Sequence, residues 1–461
     1  MSTDNAQSTP PLRRSQLIQD LASSVKPEAA DHLIGTELET HGLVVASHTP
    51  VNYPDHIRRV LEGFCQRFGW KPSDDRGTNG EVIALQRERA SITLEPGGQL
   101  ELSGKPLPTV HATCGEFSEY RQDLDVIAKD LGLTFLATGF HPLATLADMN
   151  HTPKGRYRVM RAYLPTRGGR ALDMMHRTCT LQANFDFASE AQCGQRLRTA
   201  IGLSALSTAL FASSPFFEGQ ATDYASQRSQ VWTDVDPDRC GLLPFVLDGE
   251  FSFARYVDWA LTVPMFFVRR GGHYHAHHKT FATFLREGFV DPEGNRHQAT
   301  EADFRLHLNT LFPEARLNPF IEVRGSDAVP ARFVCALPAL WKGLLYDDEA
   351  CAASWGLVAN LDMAGRLDLW RECREASLRS PRVLELCRQL LEISRKSLQR
   401  QGVLDAKGRD ESHFLDPLDE CVAQGISPAD LARQTYQAAT AEGLPPAQAI
   451  RRAMFFAGVP A

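Results

Sequence analysis

At 461 residues, with 43% hydrophobic and 23% charged residues, the chain is long enough for a large core and has the balance of a soluble globular enzyme. Its formal net charge of −7 argues against a general nucleic-acid binder, and no apolar run approaches the ~20 residues needed to span a membrane. Ten cysteines without a CxxC pair suit reduced thiols in a cytoplasmic setting.

Residues 1–12 are polar and read as disordered. Arg13-Arg14 has no apolar core behind it, so the start of the chain is neither a secretory nor a twin-arginine signal. A short amphipathic helix is expected around Gln16–Leu21, with residues 1–30 read as a tail with a short helix and residues 31–461 as a single domain. Leu33–Ala46 reads as a strand with a turn at His41-Gly42. Glu37 and Glu39 lie two apart on it and point the same way. Pro54–Phe68 reads as a helix, and Glu81–Gln86 with Ala90–Leu94 as a hairpin.

That hairpin runs into Ser91–Gly104, SITLEPGGQLELSG, around which the chain is organised. Two short strands meet at Pro96-Gly97-Gly98, residues suited to a tight reversal. Leu94, Leu100 and Leu102 can face a core, which leaves Glu95, Gln99 and Glu101 on the other face. Acids grouped this way are unfavourable unless a positive charge sits between them. A magnesium ion is one answer, since hard cations take carboxylate oxygens; a solvated acidic hairpin is the other.

Val110–Leu131 has a helical apolar stripe, Thr134–Phe140 is strand-like, and Pro153–Leu164 reads as a basic helix. Cys179–Phe187 alternates, with Leu181, Ala183 and Phe185 one way and Gln182, Asn184 and Asp186 the other. Its polar side can add oxygens to a metal site or be the wet face of an edge strand. Ser189–Ser213 suits a buried helix, Ser226–Pro244 is loop-rich, and Phe253–Phe267 runs from helix to strand. His273, His275, His277 and His278 fit a solvated hairpin better than a zinc site. Ala302–Leu311 is helical. Ala315–Gly325 reads as one strand on which Glu322 and Arg324 share a face. Ala336–Tyr346, Leu367–Arg400, Ser427–Glu442 and Pro446–Phe456 read as helices. With no internal repeat, the pattern predicts an α+β fold with a helical C-terminal third.

Ser103-Gly104-Lys105 resembles a phosphate loop, but the spacing from Gly98 is one residue too long and Pro106 replaces the required Ser or Thr. There is no G-x-S-x-G elbow and no G-x-G-x-x-G after a strand. Any phosphate must be held by acids and arginines on a sheet. Glu37, Glu39, Glu95, Glu101 and Glu322, with Arg156, Arg228 and Arg324, supply such a phosphoryl-transfer set, which works by positioning and charge neutralisation.

Several blocks resemble the plant and proteobacterial type of glutamate–cysteine ligase. They are IGTELE (Ile34–Glu39), LEPGGQLELSG (Leu94–Gly104), PKGRYRVMRAYLP (Pro153–Pro165) and LDMMHRTCTLQANFDF (Leu172–Phe187). SQRSQVWTDVDPDR (Ser226–Arg239), then FIEVRGSD and CALPALWKGLLYDD within Phe320–Asp348, continue the match. The resemblance implies a glutamine-synthetase-like fold, a curved antiparallel sheet with the active site in its concave face. It also implies the reaction: ATP phosphorylates the γ-carboxylate of glutamate, and the amine of cysteine displaces the phosphate to give γ-glutamylcysteine. The alternative is a ligase of the same fold that uses another amine.

Under this resemblance Glu37, Glu39, Glu95, Glu101 and Glu322 look like ligands to two or three Mg2+ ions, with Gln182 and Asn184 as helpers. Arg156 and Arg228 look like the clamp on the glutamate α-carboxylate, because an arginine binds a carboxylate through two parallel hydrogen bonds. Arg324, beside Glu322, would face the transferring phosphoryl group. Cys114 and Cys335 match a pair that can form a disulfide in the family. The plant enzymes' second pair has no counterpart near His273–Arg286, and their transit segment is missing. The missing pair argues against plant-style redox control of dimerisation, the missing transit segment favours a bacterial cytoplasmic protein, and the chain is expected to be a monomer or homodimer. Leu38 stands where the family usually has His, but it points away from Glu37 and Glu39, so little effect is expected; Gly139–Asn150 lacks the usual Lys-Trp after the proline, which leaves acceptor preference open there.

Overall fold

Residues 12–455 are described in a computed structural model. The disorder expected of residues 1–12 falls, but for Leu12, outside them. Nine strands form one antiparallel sheet: β1 (Ile34–Val44), β2 (Lys71–Pro72), β3 (Ala84–Arg87), β4 (Ala90–Leu94), β5 (Leu100–Ser103), β6 (Leu133–Leu136), β7 (Thr180–Phe185), β8 (Ala315–Leu317) and β9 (Ile321–Asp327). Their order is β8-β9-β7-β1-β5-β4-β3-β2, with β6 on the second half of β1. One face carries Leu38, Leu181, Ala183, Leu100 and Leu102, all buried. Helices Glu190–Leu210 and Ala336–Leu345 pack on the sheet at β9 and β7. The period-two alternation in the sequence is what places apolar side chains on one face and acids on the other.

Four expectations are corrected. No turn interrupts β1 at His41-Gly42; the strand runs through and changes partner, from β5 to β6. Gly42 is there for room, since a Cβ would stand 2.7 Å from the Val51 side chain. Thr180–Phe185 is not an edge strand: it lies between β1 and β9 and is buried along its length. Ala315–Gly325 is a hairpin rather than one strand, because Asn318-Pro319 reverses the chain and sets Arg316 opposite Glu322. Leu367–Arg400 is two helices, Met363–Glu375 and Pro381–Gln401, because Pro381 has no N–H to continue the first and suits the start of the second. The loop-rich Ser226–Pro244 also contains a helix, Gln227–Trp232, capped by the Ser226 hydroxyl.

Helix Arg14–Ala22 buries Leu17 and Leu21 and pairs Arg14 with Asp258, so it is anchored to the body of the protein. The histidine-rich stretch forms a hairpin, His273–Ala276 against Phe267–Arg270. The last third is helical from Ala336 to Ala453. Cys114 and Cys335, 221 residues apart, form a disulfide that joins helix Val110–Leu131 to the start of helix Ala336–Leu345. No helix among the described residues is long and apolar enough to cross a membrane.

Candidate active site

The acids predicted on β1, β5 and the β4–β5 turn come together in one cavity of about 270 Å³. Glu37, Glu39, Glu95 and Glu101 line it, with Gln182, Arg156, Arg228, Arg316 and Arg324. The sheet register explains how. Glu39 lies opposite Glu101, Glu37 opposite Gln182, and Glu322 opposite Asn184. Directly opposed residues of an antiparallel pair point to the same side. The turn at Pro96-Gly97-Gly98 returns the chain so that Glu95 joins them. Gly98 has φ 85°, and a Cβ on Gly97 would stand 2.3 Å from the His176 carbonyl oxygen.

Burial raises the acids first, and like charges opposed across strands add to it. Burial pushes Glu37 up to about 8, helped by Glu322 and Glu101. Burial and Glu101 push Glu95 up to about 7. Glu39 is raised by burial and by Glu95 and Glu101, although Thr180 N donates to it at 2.9 Å. Glu101 accepts from Thr93 (2.9 Å) and Ser103 (2.7 Å). Asn184 Nδ2 donates to Glu37 at 3.2 Å, while its buried Oδ1 has no partner.

Glu322 stands apart from this group. Its carboxylate is 1% exposed and already held by Arg316, with Nε to Oε2 at 2.8 Å and Nη2 to Oε1 at 3.1 Å, and by Arg324. Arg324 also donates to Gln182 Oε1 at 2.8 Å. Burial raises the Glu322 carboxyl, but the two guanidiniums outweigh it and hold it below the usual range.

Arg156 and Arg228 differ from this pair. Both line the cavity, and neither makes an ion pair among the described residues. Among the described residues the Arg156 guanidinium donates only to the Tyr157 hydroxyl, at 3.1 Å, and the Arg228 guanidinium only to the Arg324 carbonyl, at 2.8 Å. The Nε atom of each is buried without a partner.

Three residues near the acids escaped the sequence reading. Arg316 was hidden because its strand was read through the Asn318-Pro319 turn; a hairpin there would have set it opposite Glu322. The Tyr157 hydroxyl lies 2.9 Å from Leu94 O and 3.2 Å from Glu95 Oε1, with its one proton for either, and so ties helix Gly155–Tyr163 to the acidic turn. Burial and Arg156 push Lys154 down to about 8.

Hard oxygen donors suit a divalent cation, and the mutual repulsion of the acids together with the orphaned Asn184 oxygen favours one. They are not gathered into a finished cage: among the described residues no three Asp, Glu, His or Cys side chains converge as a metal site.

Clustered acids and unpaired guanidiniums on one sheet face suit a ligase that moves a phosphoryl group. More particularly, the chain belongs to glutamate–cysteine ligase family 2, whose sequence model matches residues 33–450. It is 40% identical over 436 residues to the chloroplastic glutamate–cysteine ligase B of Oryza sativa subsp. japonica, covering 94% of this chain and 85% of that protein. It is also 40% identical over 439 residues to the chloroplastic glutamate–cysteine ligase of Arabidopsis thaliana, covering 95% of this chain and 82% of that protein. The glutamate–cysteine ligase of Francisella tularensis, solved in complex with AMP, shares the fold: TM-score 0.53 at 15% identity, over 92% of this chain and 88% of that one. The cytoplasmic placement is withdrawn, because these plant relatives are named as chloroplastic enzymes.

Proposed function

We infer that the protein is an ATP-dependent ligase that joins L-glutamate, through its γ-carboxylate, to L-cysteine, giving γ-glutamylcysteine in the first step of glutathione synthesis. Family membership supports the activity. The observation that carries the site is the contrast between its arginines. Arg316 and Arg324 are spent on Glu322, while half-buried Arg156 and buried Arg228 make no ion pair and the Nε of each has no partner.

A guanidinium held out of water with no carboxylate in direct contact is unfavourable, so Arg156 and Arg228 suit an anion that arrives. Arg156 and Arg228 take the α-carboxylate of glutamate and leave its γ-carboxylate toward the acids of β1 and β5. A carboxylate is a poor acyl donor, and phosphorylation turns one of its oxygens into a leaving group. The amine of cysteine then attacks the acyl carbon, and phosphate leaves with that oxygen. Glu37, Glu39, Glu95 and Glu101, with Gln182 and Asn184, would hold the magnesium ions, which neutralise the ATP phosphates as they approach a second anion. Arg324 lies between Glu322 and Gln182 and faces the phosphoryl group being moved. Glu322, already gripped, serves first to fix Arg324 and only then as a ligand. Residues 31–461 form the catalytic unit.

The competing reading is a ligase of the same fold with another amine acceptor, and the missing Lys-Trp after Pro142 favours testing it. Phosphate release from ATP and glutamate is measured with a panel of amines. Cysteine should give the highest kcat/KM. A different amine preferred tenfold or more would install the competitor.

A further inference from the structure

Asp327, the last residue of β9, lies outside the acid cluster. Its carboxylate is 0% exposed and accepts three hydrogen bonds, from Ser213 N (2.8 Å), Ser214 Oγ (2.6 Å) and Ser226 Oγ (2.7 Å). A hydroxyl has one proton to give. Both serines give theirs to Asp327, so their lone pairs face the helix that carries Arg228. Ser214 Oγ accepts from Arg228 N at 3.2 Å, and Ser226 Oγ accepts from Ser229 N at 3.0 Å as the cap of helix Gln227–Trp232. Arg228 Nη2 reaches back to the Arg324 carbonyl on β9. The fit is tight on the far side, where a Cβ on Gly139 would stand 2.2 Å from the Asp327 Cγ.

The charge relation matters as much as the bonds. Burial lowers the Arg228 pKa, and the acids that oppose it are Asp327 first, then Glu314 and Glu39. A carboxylate in direct contact would fill the guanidinium fork, as Glu322 does for Arg316. Asp327 is held off by serines instead, so it offsets the buried cation and leaves the fork open.

We propose that Asp327 is the positioning residue for Arg228: through Ser214 and Ser226 it sets the helix from which Arg228 reaches into the cavity, and at a distance it supplies the counter-charge that keeps this arginine ready for a substrate carboxylate. The inference rests on the reading of Arg228 as a glutamate clamp.

The test is a double-mutant cycle on the full chain, reading KM for glutamate and for ATP with Mg2+ present. Asp327→Asn should raise the glutamate KM about tenfold and leave the ATP KM within about twofold. Arg228→Lys should raise the glutamate KM at least as much. In the Arg228→Lys background, Asp327→Asn should add less than about twofold, because a residue that acts through another has nothing left to act on. An unchanged glutamate KM in Asp327→Asn overturns the proposal while the clamp stands. So does a full, multiplicative effect in the Arg228→Lys background, which is what a merely structural role gives. An unchanged glutamate KM in Arg228→Lys overturns the clamp and this inference with it. Should Asp327→Asn not fold, Ser214→Ala decides: a raised glutamate KM with ATP unaffected supports the proposal, and no change overturns it.

Discussion

Arg316 and Glu322 face each other across the β8–β9 hairpin and share two hydrogen bonds, at 2.8 and 3.1 Å, where the carboxylate is 1% exposed. Removing one partner of such a pair leaves a buried charge without compensation, which costs about 3–5 kcal/mol. Arg324 still reaches Glu322 and softens the loss. Arg316→Met should therefore lower the unfolding free energy by about 3 kcal/mol in urea titrations. Arg316→Lys, which keeps the charge but loses the fork, should fall in between. An unchanged midpoint for Arg316→Met would show that the pair is not what holds β8 to β9.

The pH dependence of the metal-free protein follows from Glu37, up to about 8, and Glu95, up to about 7, against an ordinary value of 4.5. Raised carboxyls bind more protons folded than unfolded. Their contribution to stability is therefore complete below the ordinary value and is lost as pH rises through the folded one. From these groups, the melting temperature without magnesium should fall between about pH 5 and 8. Magnesium competes with those protons, so the rise in melting temperature it brings should be larger at pH 8 than at pH 6, and binding should release protons in calorimetry run in buffers of different ionisation enthalpy. Glu37→Gln should flatten the slope. A melting temperature that rises over this range, or magnesium binding without proton release, would count against a carboxylate metal site.

The Cys114–Cys335 bridge closes a loop 221 residues long. In the chain-entropy model such a bridge stabilises by on the order of 5 kcal/mol as an upper value. Dithiothreitol should lower the urea midpoint of the native protein. The Cys114→Ser variant should start at that lower midpoint and ignore the reductant, since the other eight cysteines are free. A midpoint that does not respond to reductant would remove the bridge from the account of stability.

Arg156 and Arg228 should behave alike toward glutamate. Replacing Arg156 with Lys removes the two-pronged hydrogen bond but keeps the charge, so the glutamate KM should rise roughly 10- to 100-fold. The ATP KM should move far less. Equal effects on both substrates would place Arg156 on the phosphates instead.

Much of this arrangement was legible in the residues. Spacing two apart on apolar strands put Glu37 beside Glu39 and Glu322 beside Arg324, and the Pro-Gly-Gly turn set Glu95 and Glu101 on one face. What period-two alternation cannot supply is the partner across the sheet. The Glu39–Glu101 opposition depends on the register of β1 against β5, and the burial of Thr180–Phe185 on its neighbours β1 and β9. Arg316 was missed because a proline turn was read as part of a strand. Asp327 was missed because its role lies in three contacts made by segments more than a hundred residues away.

The central claim is that acids and open guanidiniums on this sheet activate glutamate for attack by cysteine. Mass spectrometry of the products formed from ATP, glutamate, cysteine and Mg2+ tests it most directly. The account predicts γ-glutamylcysteine with one ADP and one phosphate per peptide bond, and no product without magnesium. ATP consumed without that dipeptide, or the dipeptide formed at full rate by an Arg228→Ala variant, would contradict it.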